Sequence, residues 1–364
     1  MSLEKLSNAG VSIWLDDLSR ERMVKGGKSS YLPELIEKDF VVGVTTNPAI
    51  FSAAIANSEL YRTDVASLHG KGLGAEEIIT EITTSDVKQA CKLFLPTFDR
   101  TSGIDGRVSI EVDPRLARDT EGTIKQARQL WEIVGAENVL IKVPATIEGL
   151  PAIRALTAEG ISINVTIIFS VTRYEAVLDA FIAGLEDRLS RGLPIEMIHS
   201  VASFFISRVD TEIDSRIKGT EHHSLAGQAA LANARLAYEH FLQIESSERW
   251  QKISRSGGNI QRPLWASTGV KDPNYESTMY VLELVADKTV NTMPESTLVA
   301  VRSSERFTGD TINGKFDDSR KVLSMLSEIG IDIEQVAEKL ESEGIEKFIK
   351  PWLELINVVE QAKA

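Results

Sequence analysis

A lysine interrupts an otherwise apolar stretch of the sequence, V-L-I-K-V-P-A-T, in which Lys142 stands between Ile141 and Val143. Aliphatic and β-branched residues in such a short run are typical of a buried β-strand. A buried charge is costly, so the amine must either reach solvent or be retained for chemistry. A desolvated amine loses its proton more readily than one in water, and it can then attack a ketone to form a Schiff base.

Two other short apolar runs carry carboxylates. Asp16 ends S-I-W-L-D and shares a strand face with Ser12 and Trp14. Glu111 lies in S-I-E-V-D, on the same face as Ser109. Four further polar residues follow the same pattern in later runs: Asn164, Thr166, Ser203 and Ser267. Because side chains alternate along a strand, these groups are predicted to face one way and to converge at one mouth.

Each polar residue also has a simple structural explanation. A serine or threonine in a strand can bond to nearby backbone, an aspartate at a strand end can cap a helix, and Glu111 can form a buried ion pair with Lys142. A buried ion pair has doubtful net stability, however, and six positions repeat the pattern. We therefore favour a catalytic site. The iminium accepts electrons when an adjacent carbon–carbon bond breaks, and Asp16 and Glu111 supply the proton transfers that this reaction needs.

Eight short strand-like runs alternate with amphipathic helical stretches along the chain. Their spacing predicts eight parallel strands, the number that closes a (β/α)8 TIM barrel, with extra helices and a C-terminal helical segment packed on the barrel. A doubly wound open sheet is the alternative, but the chain contains neither G-x-G-x-x-G nor G-K-[ST]. No repeat or linker divides the sequence, so residues 1–364 are predicted to form one domain.

Composition excludes several functional classes. The net charge of −13, without a basic cluster, argues against nucleic acid as a partner. The longest apolar run falls well short of the roughly 20 residues of a membrane helix, and no signal-peptide pattern opens the sequence. Cys91 is the only cysteine, so no intrachain disulfide is possible. The five histidines lack metal-ligand spacing. We expect a cytoplasmic enzyme or binding protein that needs no metal or other cofactor and does not bind membranes.

Six motifs of the sequence resemble those of the transaldolase family, in the family's order and over nearly the whole chain. They are T-T-N-P (45–48), S-I-E-V-D-P (109–114), L-I-K-V-P-A-T (140–146), I-N-V-T-I-I-F-S (163–170), S-x-F-x-x-R (203–208) and W-A-S-T-G (265–269). W-L-D-D-L-S-R near the start and T-V-N-T-M-P-E near the end resemble the long actinobacterial branch, which is related to transaldolase–isomerase fusions.

The resemblance implies a role for each matching residue. Lys142 corresponds to the Schiff-base lysine and Asp16 to the acid/base at the C4 hydroxyl, whereas Asp17 is a weaker candidate for that role. Glu111 and Thr166 correspond to the pair that holds the catalytic water. Substrate contacts are implied for the following residues: Asn47, Asn164, Ser203, Phe205, Arg208 and Ser267.

The resemblance also implies a reaction and its partners. The family moves a dihydroxyacetone unit between sugar phosphates in the pentose phosphate pathway, without a cofactor, as monomers or homodimers. One departure concerns the phosphate: the family's common arginine two residues after the serine is Gly269 here, so Lys271 or Arg262 is a candidate replacement. A simple aldolase and a non-catalytic sugar-phosphate-binding protein are the alternative functions.

Overall fold

Eight parallel strands close into a barrel in which each strand pairs with its neighbours in chain order. The structure is a computed structural model that describes residues 2–27 and 29–362. The strands are β1 (Val11–Leu15), β2 (Val41–Val44), β3 (Arg107–Glu111), β4 (Val139–Pro144), β5 (Ile163–Ile168), β6 (Ser200–Phe205), β7 (Arg262–Ala266) and β8 (Thr289–Met293). All eight predicted strands are present, and the predicted TIM barrel is confirmed.

The described residues form sixteen α-helices, most of which lie outside the barrel. They are α1 (Ser2–Asn8), α2 (Arg20–Met23), α3 (Leu32–Lys38), α4 (Pro48–Asn57), α5 (Arg62–Gly70), α6 (Ala75–Arg100), α7 (Thr120–Val134), α8 (Gly149–Glu159), α9 (Val171–Ser190), α10 (Ser207–Ile217), α11 (Ala229–Ser246), α12 (Glu248–Arg255), α13 (Met279–Leu282), α14 (Glu295–Ser303), α15 (Phe316–Glu328) and α16 (Ile333–Gln361). Short 3-10 turns occupy Glu59–Tyr61, Pro114–Leu116 and His223–Leu225.

The packing between strands and helices follows from the strand sequences. Strands buried on both sides are apolar on the helix-facing side, where Tyr174, Phe204 and Trp265 pack edge to face. The indole N–H of Trp265 donates to the carbonyl of Leu284, which places that side chain outside the barrel. The alternate residues of the same strands therefore face the barrel interior, and the carboxyl ends of all eight strands meet at one mouth.

Helix α16 accounts for the C-terminal residues that have no strand to join. It packs on α4, α6 and α10 and reaches the mouth, where Phe348 lines the cavity described below. Glu341 anchors this helix, since its carboxylate lies 3.4 Å from Arg173 and 3.9 Å from Arg118. The predicted C-terminal helical segment packed on the barrel is confirmed. Among the described residues, no helix is long and apolar enough to cross a membrane.

Candidate active site

Lys142 points into a cavity of about 210 Å³ at the C-terminal mouth of the barrel. Its side chain is only 7% exposed. The Nζ atom donates to the carbonyl oxygen of Thr46 at 2.5 Å and lies 3.4 Å from Oε2 of Glu111. Glu111 and Lys142 are direct neighbours in the register of β3 and β4. The lysine that interrupts the apolar run is therefore a buried amine with access to a cavity.

Asp16 lies just beyond β1 and lines the same cavity. Its Oδ1 accepts a hydrogen bond from the hydroxyl of Thr45 at 2.7 Å, and this hydroxyl is also 2.7 Å from that of Thr292. Burial raises the pKa of Asp16, although the charge of Lys142 and the bond from Thr45 act against the rise. A carboxylate that gives up its proton reluctantly when buried is suited to take one from a substrate hydroxyl.

Glu111 lies on the other side of the amine. Its side chain is 9% exposed, and burial raises its pKa, with the nearby charge of Lys142 opposing that effect. It borders a second void of about 20 Å³, enough for one water molecule. Thr166 lines the main cavity, and its buried hydroxyl has no hydrogen-bond partner in the protein. An unpaired buried hydroxyl beside a cavity is available to a bound water or substrate.

Asn164 lies among the inward-facing polar residues, and its contact with substrate stays a prediction. Its side chain is completely buried, its amide nitrogen donates to Ser109 at 3.1 Å, and its oxygen accepts from Ser203 at 2.7 Å. It is the register partner of Lys142 on the neighbouring strand and is one layer deeper in the barrel than Thr166, which lines the cavity. Asn164 therefore holds Ser203, which does line the cavity.

Asn47 lines the cavity and also begins α4, where its side-chain oxygen accepts from the backbone N–H of Ile50 at 3.0 Å. This N-cap bond leaves the side-chain amide group as the part of Asn47 that can bind substrate. Phe205 also lines the cavity, and its contact with substrate stays a prediction.

A cationic end of the cavity contains Arg208, Ser267, Gly269 and Lys271. Arg208 is the second residue of α10, and its guanidinium lies over the rings of Phe205 and Phe348 at 5.4 and 5.8 Å. Its Nη1 is buried without a hydrogen-bond partner. Burial lowers the pKa of Arg208. Unused N–H groups of a desolvated guanidinium can bind a phosphate strongly.

Backbone geometry is unusual at one residue that lines the cavity and at one residue next to the lining. Ile167, next to Thr166, has a φ of +57°, and Ser267 has a φ of +56°. A β-branched residue in this region is a conformational outlier. The register of β5 against β6 shifts between Val165 and Ile168. This irregular backbone at the end of the strand orients the side chain of Thr166 toward the cavity. The hydroxyl of Ser267 lies 3.0 Å from that of Ser207.

The suggestion that Arg262 replaces the phosphate arginine is wrong. Arg262 is the first residue of β7 and lies at the opposite, N-terminal end of the barrel, where it contacts Ser12 and Asp105. Lys271 is on the cavity wall. Arg262 begins β7 and Ser267 directly follows its last residue, so the length of the strand places the two residues at opposite ends of the barrel.

Several cavity residues were missed from the sequence. Thr292, at the end of β8, has the same strand-end pattern as Thr166 and could have been found by it. Thr45 and Thr46 stand in the T-T-N-P motif, yet their bonds to Asp16 and Lys142 have no sequence signal. Phe348 comes from a distant helix. Asp17 pairs with Arg22 at 2.5 Å and, as expected, does not line the cavity.

Metal ligands are not grouped in residues 2–27 and 29–362, where no cluster of three His, Cys, Asp or Glu side chains could hold an ion. The expectation that the reaction needs no cofactor stays a prediction.

An eight-stranded barrel with a buried amine between two carboxylates at its C-terminal mouth defines a class of lysine-dependent enzymes, and comparison with known proteins gives the family. The chain matches the Transaldolase/Fructose-6-phosphate aldolase family over residues 13–359 and belongs to it. It is 51% identical to the transaldolase of Thermobifida fusca over 100% of this chain and 98% of that protein. It is 54% identical to the transaldolase of Arthrobacter sp. over 99% and 97%, respectively. It is 52% identical to the transaldolase of Mycolicibacterium smegmatis over 99% of this chain and 96% of that protein.

Proposed function

We propose that this protein is a transaldolase that carries a dihydroxyacetone unit on Lys142. The donor is sedoheptulose 7-phosphate or fructose 6-phosphate, and the acceptor is erythrose 4-phosphate or glyceraldehyde 3-phosphate, as in the non-oxidative pentose phosphate pathway. The observation that carries this proposal is the placement of one buried amine between Asp16 and Glu111 in a cavity with a cationic end.

The first steps form the iminium. The neutral amine of Lys142 attacks the C2 ketone of the donor to give a carbinolamine, which then loses water. Loss of water needs proton transfer to the departing hydroxyl. Glu111, 3.4 Å from Nζ, and the unpaired hydroxyl of Thr166 are suited to hold the water that mediates this transfer.

Carbon–carbon cleavage follows. The Asp16 carboxylate takes the proton of the C4 hydroxyl, the C3–C4 bond breaks, and its electron pair moves into the iminium to give an enamine. The aldose phosphate leaves. Thr45 and Thr292 keep the carboxylate oriented through their linked hydroxyls. Addition of the enamine to the acceptor aldehyde and hydrolysis of the new iminium complete the transfer.

The phosphate groups of donor and acceptor bind at the cationic end. Arg208 offers unused N–H groups, and Lys271 supplies a second positive charge on the side where Gly269 has no side chain. A Cβ atom at Gly269 would meet Pro294 at 3.5 Å without a clash, so space does not prevent a side chain there. The positive charge on this side comes from Lys271, two residues after Gly269 in the loop.

An aldolase that simply releases dihydroxyacetone is the second candidate, since the family name covers both reactions. A transaldolase must protect its covalent intermediate from water until the acceptor arrives. Turnover of fructose 6-phosphate should therefore be slow alone and rise strongly when erythrose 4-phosphate is added. Equal turnover with and without the acceptor would favour the aldolase, and no turnover in either case would favour a binding protein.

A further inference from the structure

Another cavity, of about 460 Å³ and larger than the active-site cavity, lies at the N-terminal end of the barrel, opposite the active site. We call it the floor cavity. Residues at the starts of the strands line it, and the ones that matter here are Ser12, Arg107, His199, Ser200 and Arg262. Polar residues at this end of a TIM barrel usually serve stability. Two buried groups of the floor cavity do not fit that explanation.

Arg107 is the first of them. It is 1% exposed, and its guanidinium stacks on Phe98 at 4.8 Å. Nε donates to the carbonyl of Gly103 at 2.7 Å and Nη1 to that of Glu137 at 3.1 Å, but Nη2 is buried without a partner. Within the described part of the chain, no carboxylate forms an ion pair with this guanidinium. Burial, together with the charge of Arg262, lowers the pKa of Arg107 to about 9, and the charge of Asp105 opposes this decrease. It remains charged at neutral pH.

His199 is the second. It is 8% exposed, and its Nε2 is also buried without a partner. Burial lowers the pKa of His199 to about 2, with Arg107 and Arg262 adding to the effect, so the imidazole is neutral and can present an N–H at Nε2. Both unpaired nitrogens lie beside Gly103: a Cβ atom there would be 3.0 Å from Nε2 of His199 and 3.2 Å from Nη2 of Arg107.

The two other cations around the floor cavity each have an ion-pair partner. Arg262 pairs with Asp105 at 3.0 Å and also donates to Ser12 at 2.7 Å. Lys288 pairs with Glu245 at 2.5 Å, and the carboxylate of Asp287 accepts the backbone N–H of Lys288. The lining as a whole has no net charge, since Asp105, Glu245 and Asp287 balance the three cations, but Arg107 is the one described cation of the lining without an ion-pair partner. An unpaired buried cation is expensive, and an anion beside it would remove that cost.

We propose that the floor cavity binds a small oxyanion of the phosphate class, with Nη2 of Arg107 and Nε2 of His199 as its buried donors. Arg262 is close enough to influence both groups electrostatically and adds positive potential. The site accepts inorganic phosphate or the phosphate group of a small metabolite, since the cavity has room for more than the anion alone. It is separate from the cationic end at Arg208, which lies at the other mouth of the barrel.

Calorimetric titration with inorganic phosphate, at ionic strength matched with chloride, tests this site. The titrations use the Arg208→Ala protein, in which the active-site phosphate position is weakened. We expect one phosphate to bind, and Arg107→Met in the same background to weaken binding about tenfold or more, as expected for loss of a charged hydrogen bond. Arg100→Met, which removes an exposed arginine, is the matched control and should leave binding unchanged. No binding to Arg208→Ala, or equal binding after Arg107→Met, would overturn the proposal.

Crystals give a test that needs no change in the floor cavity, should Arg107→Met fail to fold. Arg208→Ala crystals soaked in selenate should show an anomalous peak within hydrogen-bond distance of Arg107 and His199. A peak confined to the active site, or no peak, would contradict the proposal. Either failure leaves the proposed function intact, because the floor cavity and the active-site cavity share no lining residue.

Discussion

The Nζ atom of Lys142 lies 3.4 Å from Oε2 of Glu111, and the two residues face each other in the register of adjacent strands β3 and β4. The same nitrogen donates to the carbonyl of Thr46. These two contacts hold the amine at the base of the cavity without surrounding it. A nucleophile fixed by strands rather than by loops is positioned accurately for attack on a ketone.

Replacement of Asp16 by asparagine should stop the reaction after the iminium has formed. We expect kcat to fall by about 10²- to 10⁴-fold, because the C4 hydroxyl loses its base. Borohydride reduction with fructose 6-phosphate should then trap the uncleaved six-carbon donor on Lys142, as detected by peptide mass. Asp17→Asn is the control, since Asp17 pairs with Arg22 outside the cavity. A three-carbon adduct formed at the normal rate in Asp16→Asn would rule out this role.

The same substitution should stabilise the protein at neutral pH. Burial raises the pKa of Asp16, so the native state binds this proton more tightly than the unfolded state does. The associated stability is present below the unfolded pKa and is lost as pH rises through the folded value. Asparagine mimics the protonated form and does not titrate. The free energies of unfolding of the two proteins should therefore converge near pH 4 and diverge in favour of Asp16→Asn by pH 8. A difference in the free energy of unfolding that stays constant from pH 4 to pH 8 would show that the pKa of Asp16 is not raised in the folded protein.

Thr166→Val should slow both formation and hydrolysis of the iminium, because the unpaired hydroxyl is proposed to hold the water that these steps share. Loss of one such hydrogen bond predicts a decrease of about tenfold in the rate of adduct formation in a rapid-quench borohydride experiment. Thr157→Val is a matched control, since its hydroxyl is also buried and unpaired but lies on α8, away from the cavity. Equal rates in the two variants would argue against a role for Thr166.

Arg208→Gln should raise the KM for fructose 6-phosphate by about tenfold to a hundredfold, the effect of losing a charged hydrogen bond to phosphate. Lys271→Gln should act in the same direction. Neither change should raise the KM for unphosphorylated fructose, which makes no such contact. Lys218→Gln, at the exposed far end of α10, provides a control that removes an equal charge. An equal rise in KM for both sugars would show that Arg208 supports the fold of the site rather than the phosphate.

The sequence predicted the eight strands and the mouth that collects Lys142, Asp16 and Glu111, because strand alternation is a local property that buried apolar runs make visible. The sequence could not show how deep in the barrel each inward-facing side chain lies. Asn164 obeys the same alternation as Thr166 but lies one layer lower, where Ser109 and Ser203 occupy its polar atoms.

The sequence also could not predict positions that depend on how distant parts of the chain pack together. Arg262 lies near Ser267 in the sequence but at the other end of β7, and Phe348 reaches the cavity only because α16 packs across the mouth. The single domain over residues 1–364, the cytoplasmic location, the monomeric or homodimeric state and the cofactor-free reaction stay predictions.

The central claim is that Lys142 carries the transferred fragment. Incubation of the intact protein with fructose 6-phosphate and borohydride, followed by peptide mass analysis, tests it most directly. We expect a reduced three-carbon adduct on Lys142, loss of activity in proportion to labelling, and no adduct in Lys142→Met. An unmodified Lys142 in inactivated protein, or a three-carbon adduct on another lysine, would contradict the account.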